Sequence, residues 1–282
     1  MFYKAPCKIK DGVWALGNEL FPCFLVECKG RLFLFEPSLS GAYPELKGQM
    51  GDLGCSLEDV EAVVVLHSHY DHVMMLFPLL DEVKIPVYAH PSAKGALGKL
   101  KVLSFFRGAD DYSSRKVYGT VPEYSLREVE FEDIEKLKGM GLEVYHLPGH
   151  SPCSVGIGCG GALFVSDAIG FFGKELGHSP LFFYSYDLYM ESIEKVGSLA
   201  KDHDVVIIGH NCYFEGNEAL EAVERAREEA RALKDSILSR GFTPDNPDEL
   251  FRELYVGEYL YYPPEIIKNC AVYLIKRALE AS

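Results

Sequence analysis

The sequence predicts an α/β fold with a helical C-terminal addition. Three observations predict it. Short apolar strand-like runs alternate with helical segments up to about residue 216, only helical patterning follows, and no repeat or low-complexity linker interrupts the chain. Residues 1–216 therefore read as one domain and 217–282 as a helical extension packed on it. With 282 residues, of which 48% are hydrophobic and 25% charged, the chain can bury a full core without staples.

Taken in order, Val13 to Leu16, Phe21 to Glu27 and Arg31 to Glu36 are β-type runs punctuated by Gly12, Gly17, Gly30 and Pro37, which predicts a β-meander. Ser56-Leu-Glu-Asp59 carries a capping-box signature ahead of a short helical turn. Ala62 to Leu66 is too uniformly apolar for a half-exposed strand and reads as a buried central strand ending at His67. Pro86 to His90 reads as a strand and Ser92 to Leu100 as a short helix. Residues 101–138 hold Phe105, Phe106, Tyr112, Tyr118 and Tyr124 among Gly108, Gly119 and Pro122, and only Val129 to Leu137 looks helical. This segment is either an insertion forming a lid over a site or a surface loop with its own aromatic cluster. Leu142 to His146, Val155 to Ile157 and Ala162 to Val165 are short strands, Asp187 to Ala200 is a helix, and Val205 to Ile208 is an apolar strand. Helices follow at Glu218 to Leu238, Asp248 to Val256 and Pro264 to Leu279.

A formal net charge of −14 disfavours nucleic acid, because such partners are held by basic patches that neutralise phosphates. No stretch approaches the roughly 20 apolar residues that span a bilayer, and Met1 to Lys10 has no apolar run of signal-peptide length. A cytoplasmic protein without a membrane partner is expected. The eight cysteines form no C-x-x-C pair and read as buried free thiols, with Cys153 drawing notice three residues after His150. Gln49 is the only glutamine, a composition that leans towards a thermophilic source.

Four times an apolar run ends in a turn bearing a metal-capable side chain. The runs are Val-Val-Val-Leu-His67-Ser-His69-Tyr-Asp71-His72, Val-Tyr-His-Leu-Pro-Gly-His150, Leu-Phe-Val-Ser-Asp167 and Val-Val-Ile-Ile-Gly-His210. Three imidazoles and a carboxylate within six residues serve neither a core nor a solvated face. Seven nitrogen and oxygen donors exceed what one tetrahedral ion takes, and point to two divalent ions, zinc first, with iron or manganese as alternatives. A pair of ions with a shared carboxylate would clamp a hydroxide and polarise the oxygen under attack.

H-x-H-x-D-H at 67–72, P-G-H at 148–150, S-D at 166–167 and G-H at 209–210 together resemble the metallo-β-lactamase superfamily, over about residues 10 to 215. The resemblance implies a four-layer αβ/βα sandwich with the site at one edge of two sheets. It also implies that His67, His69 and His150 hold one metal, that Asp71, His72 and His210 hold the other, and that Asp167 bridges them. Antibiotic-destroying members generally lack the histidine matching His72, so the chain looks more like the branch containing glyoxalase II and lactonases. That branch implies hydrolysis of an ester, thioester or lactone of a small molecule. Flavodiiron proteins carry glutamate where His69 stands. Persulfide dioxygenases share the H-x-H-x-D-H stretch and use one iron, a phosphodiesterase or nuclease needs a basic clamp, and a non-catalytic metal-binding scaffold would retain the fold.

Asp71 is a candidate proton shuttle as well as a ligand. His178, Tyr184 and Tyr186 are candidate substrate contacts, against a plainer reading of His178 as a solvent-exposed loop residue. His90 and His146 read as packing or ligand-supporting residues, and His203 as surface. Tyr255, Tyr259, Tyr261 and Tyr262 read as core or as a homodimer interface in preference to a pocket lining. Glu36 either orients a ligand or caps a turn.

Overall fold

The computed structural model describes residues 1–281; Ser282, the last residue of the expected helical extension, lies outside them. The chain divides into two compact units. The N-terminal unit comprises residues 3–144 with 157–160, and the C-terminal unit comprises residues 1–2, 145–156 and 161–281.

Within the N-terminal unit, β1 (Cys7–Lys10), β2 (Val13–Gly17), β3 (Pro22–Cys28) and β4 (Arg31–Phe35) form the expected antiparallel meander. After α1 (Tyr43–Asp52) the Ser56–Asp59 capping box forms, with Asp59 accepting from the Ser56 amide at 2.8 Å. Then β5 (Val60–Val65) joins β4 in parallel. Only Glu61 of β5 is exposed, as its apolar run requires of a strand covered on both faces. Past α2 (Leu76–Glu82), β6 (Val87–Ala89) extends the sheet in parallel. The helices α3 (Lys94–Leu97) and α4 (Leu100–Tyr118) follow, and β7 (Glu132–Asp133) closes the seven-stranded sheet in the order β1 to β7. Phe24, Phe33, Phe35 and Leu34 are fully buried, each contributing about 1.5–3 kcal/mol by leaving water.

Helix α4 corrects the sequence reading, which left residues 101 to 118 irregular. Hydrophobic periodicity could not reveal it, because its buried face carries Asp110, Ser113 and Ser114 beside Leu103 and Ala109. Asp110 accepts from the Ser40 amide at 2.9 Å, and from the hydroxyls of Ser40, Ser114 and Tyr124. The Ser114 hydroxyl accepts from the Gly41 amide, and a side chain at Gly41 would meet Ser114 within 2.8 Å. The helix ends at Gly119 with φ +72, the left-handed conformation glycine adopts without strain, and Arg115 and Lys116 complement its C-terminal dipole.

The second sheet runs β14 (Tyr213–Glu215), β13 (Val205–Ile208), β10 (Ala162–Ser166), β9 (Val155–Cys159), β8 (Glu143–His146). A separate hairpin pairs β11 (Phe171–Gly173) with β12 (Gly177–Ser179). In the C-terminal unit α5 (Tyr186–Leu199), α6 (Gly216–Ser239), α7 (Asp248–Leu254) and α8 (Pro264–Glu280) bury Tyr189, Ile193, Val196, Ala226, Leu274 and Ile275 in one core. The helices after residue 216 thus share a core with the strands that precede them. No helix among the described residues is long and apolar enough to cross a membrane.

The cysteine reading needs correction too. Cys28, at the end of β3, and Cys159, at the end of β9, form a disulfide inside the N-terminal unit, leaving Cys7, Cys23, Cys55, Cys153, Cys212 and Cys270 as thiols. The separation of 131 residues between the bonded pair gives no local spacing signal. Alkylation of the denatured, unreduced chain should label six cysteines and, after reduction, eight, read as mass increments. Eight labels before reduction would show the pair open.

Burial pushes the Asp110 carboxyl up to about 6, against the pull of its hydrogen bonds. A folded pKa above the ordinary carboxylate value means the folded state binds the proton more tightly. This contribution to stability is complete below about pH 4 and is lost as pH rises through about 6. In chemical denaturation Asp110→Asn should flatten the slope over that window. Asp110→Ala, which strands the donors, should cost about 3 kcal/mol.

Candidate metal centre

In the N-terminal unit His67 follows β5, and Tyr70, Asp71 and His72 form one 3-10 turn. The Tyr70 hydroxyl meets Ser113 of α4 at 2.9 Å, so the polar face of α4 also anchors this turn. The His67 ring lies 4.8 Å from that of His69 and 4.1 Å from that of His72. Glu36, just past β4, is buried at φ +57, a left-handed conformation costly for a glutamate and common where function dictates the backbone. Its carboxylate bonds the Nδ1 of His72. The proton therefore sits on Nδ1, and the lone pair of Nε2 faces Oδ2 of Asp71 at 3.5 Å. Of the two roles open to Glu36, the structure shows the orienting one. Glu36, His67 and His72 offer donor atoms within 4.8 Å of one another.

In the C-terminal unit three strand ends deliver the other residues. Gly149 holds φ +126 in the Pro-Gly-His turn, where a side chain would run into the Tyr189 backbone at 2.3 Å. His150 donates from Nδ1 to the Leu181 carbonyl at 2.9 Å, and the Leu181 amide donates to the Tyr189 hydroxyl at 3.3 Å. The Nε2 lone pair of His150 is thereby aimed at Oδ2 of Asp167, 3.4 Å away, while Nε2 of His210 stands 3.5 Å from Oδ1. One carboxylate thus presents each oxygen to a different imidazole, with all three side chains buried. Ser166 (φ 49) and Asn211 (φ 61) flank Asp167 and His210 in left-handed conformations. Neither is glycine, and each lies next to a candidate ligand.

Both halves fit a metal. Buried imidazole nitrogens facing carboxylate oxygens repel unless a proton or cation stands between them, and this nitrogen and oxygen set suits zinc, iron or manganese.

The expected substrate contacts, His178, Tyr184 and Tyr186, are all in the C-terminal unit. Nε2 of His178 donates to the Ile169 carbonyl at 2.9 Å, its ring sits 4.5 Å from Phe172, and burial lowers its pKa to about 4. It is a strut for the loop after Asp167 and not a solvent-exposed residue. Tyr186 is a core residue, edge-on to Phe182 at 5.2 Å, with Lys234 over its ring. Tyr184 has an exposed ring, and its amide donates to the Gly149 carbonyl at 2.9 Å. Sequence reasoning missed Tyr189 and Leu181, whose role depends on a backbone carbonyl that no residue type announces. His90, His146 and His203 bond local backbone.

The family model described as Metallo-beta-lactamase superfamily matches residues 22–210. Among solved structures, the chain is similar to a metallo-beta-lactamase family protein from Thermus thermophilus, at 17% identity and a TM-score of 0.61, covering 92% of this chain and 93% of that one. It is similar to an archaeal metallo-beta-lactamase superfamily protein from Sulfolobus tokodaii, at 18% identity and 0.56, covering 79% and 86%. Rm3 metallo-beta-lactamase gives 21% and 0.57, covering 85% and 96%. At such identities the likeness is one of fold, and it agrees with the α/β sandwich class expected from the sequence. No curated protein matches the chain.

Glu36→Gln should keep the fold, by circular dichroism, and weaken zinc binding about 10–100-fold in competition with a chromophoric chelator, as loss of a ligand-orienting carboxylate does. Unchanged affinity would reduce Glu36 to a turn residue.

Proposed function

The chain belongs to the metallo-β-lactamase superfamily, and from that membership we propose that it is a metal-dependent hydrolase of the branch containing glyoxalase II and lactonases, cleaving an ester, thioester or lactone of a small molecule. The observation that supports this most is the Asp167 carboxylate, with a histidine nitrogen facing each of its oxygens. That disposition suits a bridging ligand.

In this reading His67, His69 and His150 would hold one divalent ion, Asp71, His72 and His210 the other, and Asp167 would be shared by the two. When bound, the ions, zinc or else iron or manganese, supply Lewis acidity that polarises the attacked carbonyl and lowers the pKa of water towards neutrality. Glu36 and the Leu181 carbonyl fix the tautomers of His72 and His150. In the same reading Asp71 passes a proton to the leaving group. The net charge of −14 favours a small molecule over RNA. A cytoplasmic setting beside a disulfide is a combination met mainly in hyperthermophiles, towards which the single glutamine also leans.

Zinc-loaded protein should hydrolyse members of a panel of p-nitrophenyl esters, acyl thioesters and lactones, and a chelator should abolish turnover. Asp167→Ala should cost more than the roughly 10–100-fold that loss of a supporting residue costs. Turnover that survives metal stripping would sink the mechanism. One iron per chain with oxygen uptake on a persulfide would replace it with the dioxygenase reading.

A further inference from the structure

The Pro148-Gly149-His150 turn is wrapped by residues 181–185 of the same unit. The Gly149 carbonyl accepts the amides of Tyr184 at 2.9 Å and Ser185 at 3.1 Å. The Leu181 carbonyl, which accepts from Nδ1 of His150, also accepts the Phe183 amide at 3.0 Å. The Phe183 ring lies 5.3 Å from that of His150. Phe183 thus meets the candidate ligand both by its ring and through the carbonyl its amide holds.

The carbonyl of Phe183 is held from the last turn of α8. Nε of Arg277 donates to it at 3.2 Å, and Nη1 of the same guanidinium pairs with Glu280, three residues on. The Arg277 side chain is 26% exposed and that of Glu280 60%, so the bond to the carbonyl is sheltered on its arginine side. A peptide unit is planar, and its carbonyl and N–H turn together. The unit joining Phe183 to Tyr184 has Arg277 on its carbonyl and the Gly149 carbonyl on its N–H. A pull at one end therefore sets the other, next to His150. An arginine in a last helical turn could serve the helix dipole alone, but that role needs charge and no bond to a particular carbonyl.

We propose that Arg277 is a positioning residue for His150: through the Phe183 carbonyl it fixes the arc whose Leu181 carbonyl keeps the His150 proton on Nδ1 and leaves Nε2 free for a metal. This rests on the metal-dependent reading above. The helical addition then sets how tightly the centre takes its ion, from a residue that touches no candidate ligand.

The test uses the full chain labelled with nitrogen-15 histidine, as wild type, Arg277→Met and Arg277→Gln. Methionine keeps the length of the side chain without a donor, whereas glutamine carries an N–H at the position of Nε without the charge. Before metal is added, the His150 signals, identified by their absence in His150→Ala, should show the proton on Nδ1 in wild type and the glutamine variant, and mixed tautomers in the methionine variant. Zinc affinity, in competition with a chromophoric chelator, should fall about tenfold in the methionine variant and stay within about twofold of wild type in the glutamine variant. Arg277→Ala gives the same reading should the methionine variant not fold. An unchanged tautomer or an unchanged zinc affinity in the donor-free variant would overturn the proposal. So would a glutamine variant as impaired as the methionine one, since charge at the helix end would then be the cause. Should wild type take up no zinc, the metal-dependent reading falls by that result alone, and Arg277 is judged on the tautomer: mixed in the methionine variant and kept in the glutamine variant supports it, unchanged in both overturns it.

Discussion

Asp167 carries a carboxylate into a setting 5% exposed, with an imidazole nitrogen facing each oxygen. A charge so enclosed is tolerable only beside a counter-charge, so the surrounding chain must hold both imidazoles on target while keeping water away. Much of the C-terminal unit answers that demand. The parallel pairing of β10 with β13 brings Asp167 and His210 to the same end of two neighbouring strands. The Gly209 amide donates to the Ser166 carbonyl, tying the two turns together. Gly170 lets the loop pass where a side chain would strike His178 at 2.5 Å and the Ser179 carbonyl at 2.7 Å.

The N-terminal unit meets a similar demand by different means. Its candidate ligands His67, His69, Asp71 and His72 lie within six residues of one another, so the problem there is to keep that segment from shifting. Tyr70 is tied to Ser113, and Asp110, three residues earlier on α4, gathers Ser40, Ser114 and Tyr124. A helix whose inner face is polar fixes its partners by direction as well as by contact, since hydrogen bonds have geometric optima that apolar packing lacks.

How much of this was legible in the sequence follows from which force shapes each part. Strands covered on both faces must be apolar throughout, so β5, β10 and β13 stood out, and the residues that end them drew attention to the site. Helices α5, α6 and α8 carry ordinary amphipathic stripes and were found within a few residues of their ends. Helix α4 was hidden because three of its five buried positions are aspartate or serine, which pattern reading assigns to solvent. Helix α1 gave no reading: Pro44, Gly48 and Gly51 weaken its periodicity, and tertiary packing overrides their low propensity. The cysteine pairing and the Tyr189–Leu181–His150 chain depend on long-range proximity. Glu36 was foreseen as an open choice because its partner, His72, lies 36 residues away.

The Cys28–Cys159 bond has a consequence for how the chain withstands cutting. Residues 120–131, between α4 and β7, run without regular structure, mostly at or near the surface, where a protease finds extended backbone. Both disulfide partners lie outside this stretch, one on each side. A single nick there would yield two fragments that remain covalently joined, so the cut chain would run as one band until reductant is added. Damage in this irregular stretch would thus leave the pieces together, with every residue of the proposed centre still attached.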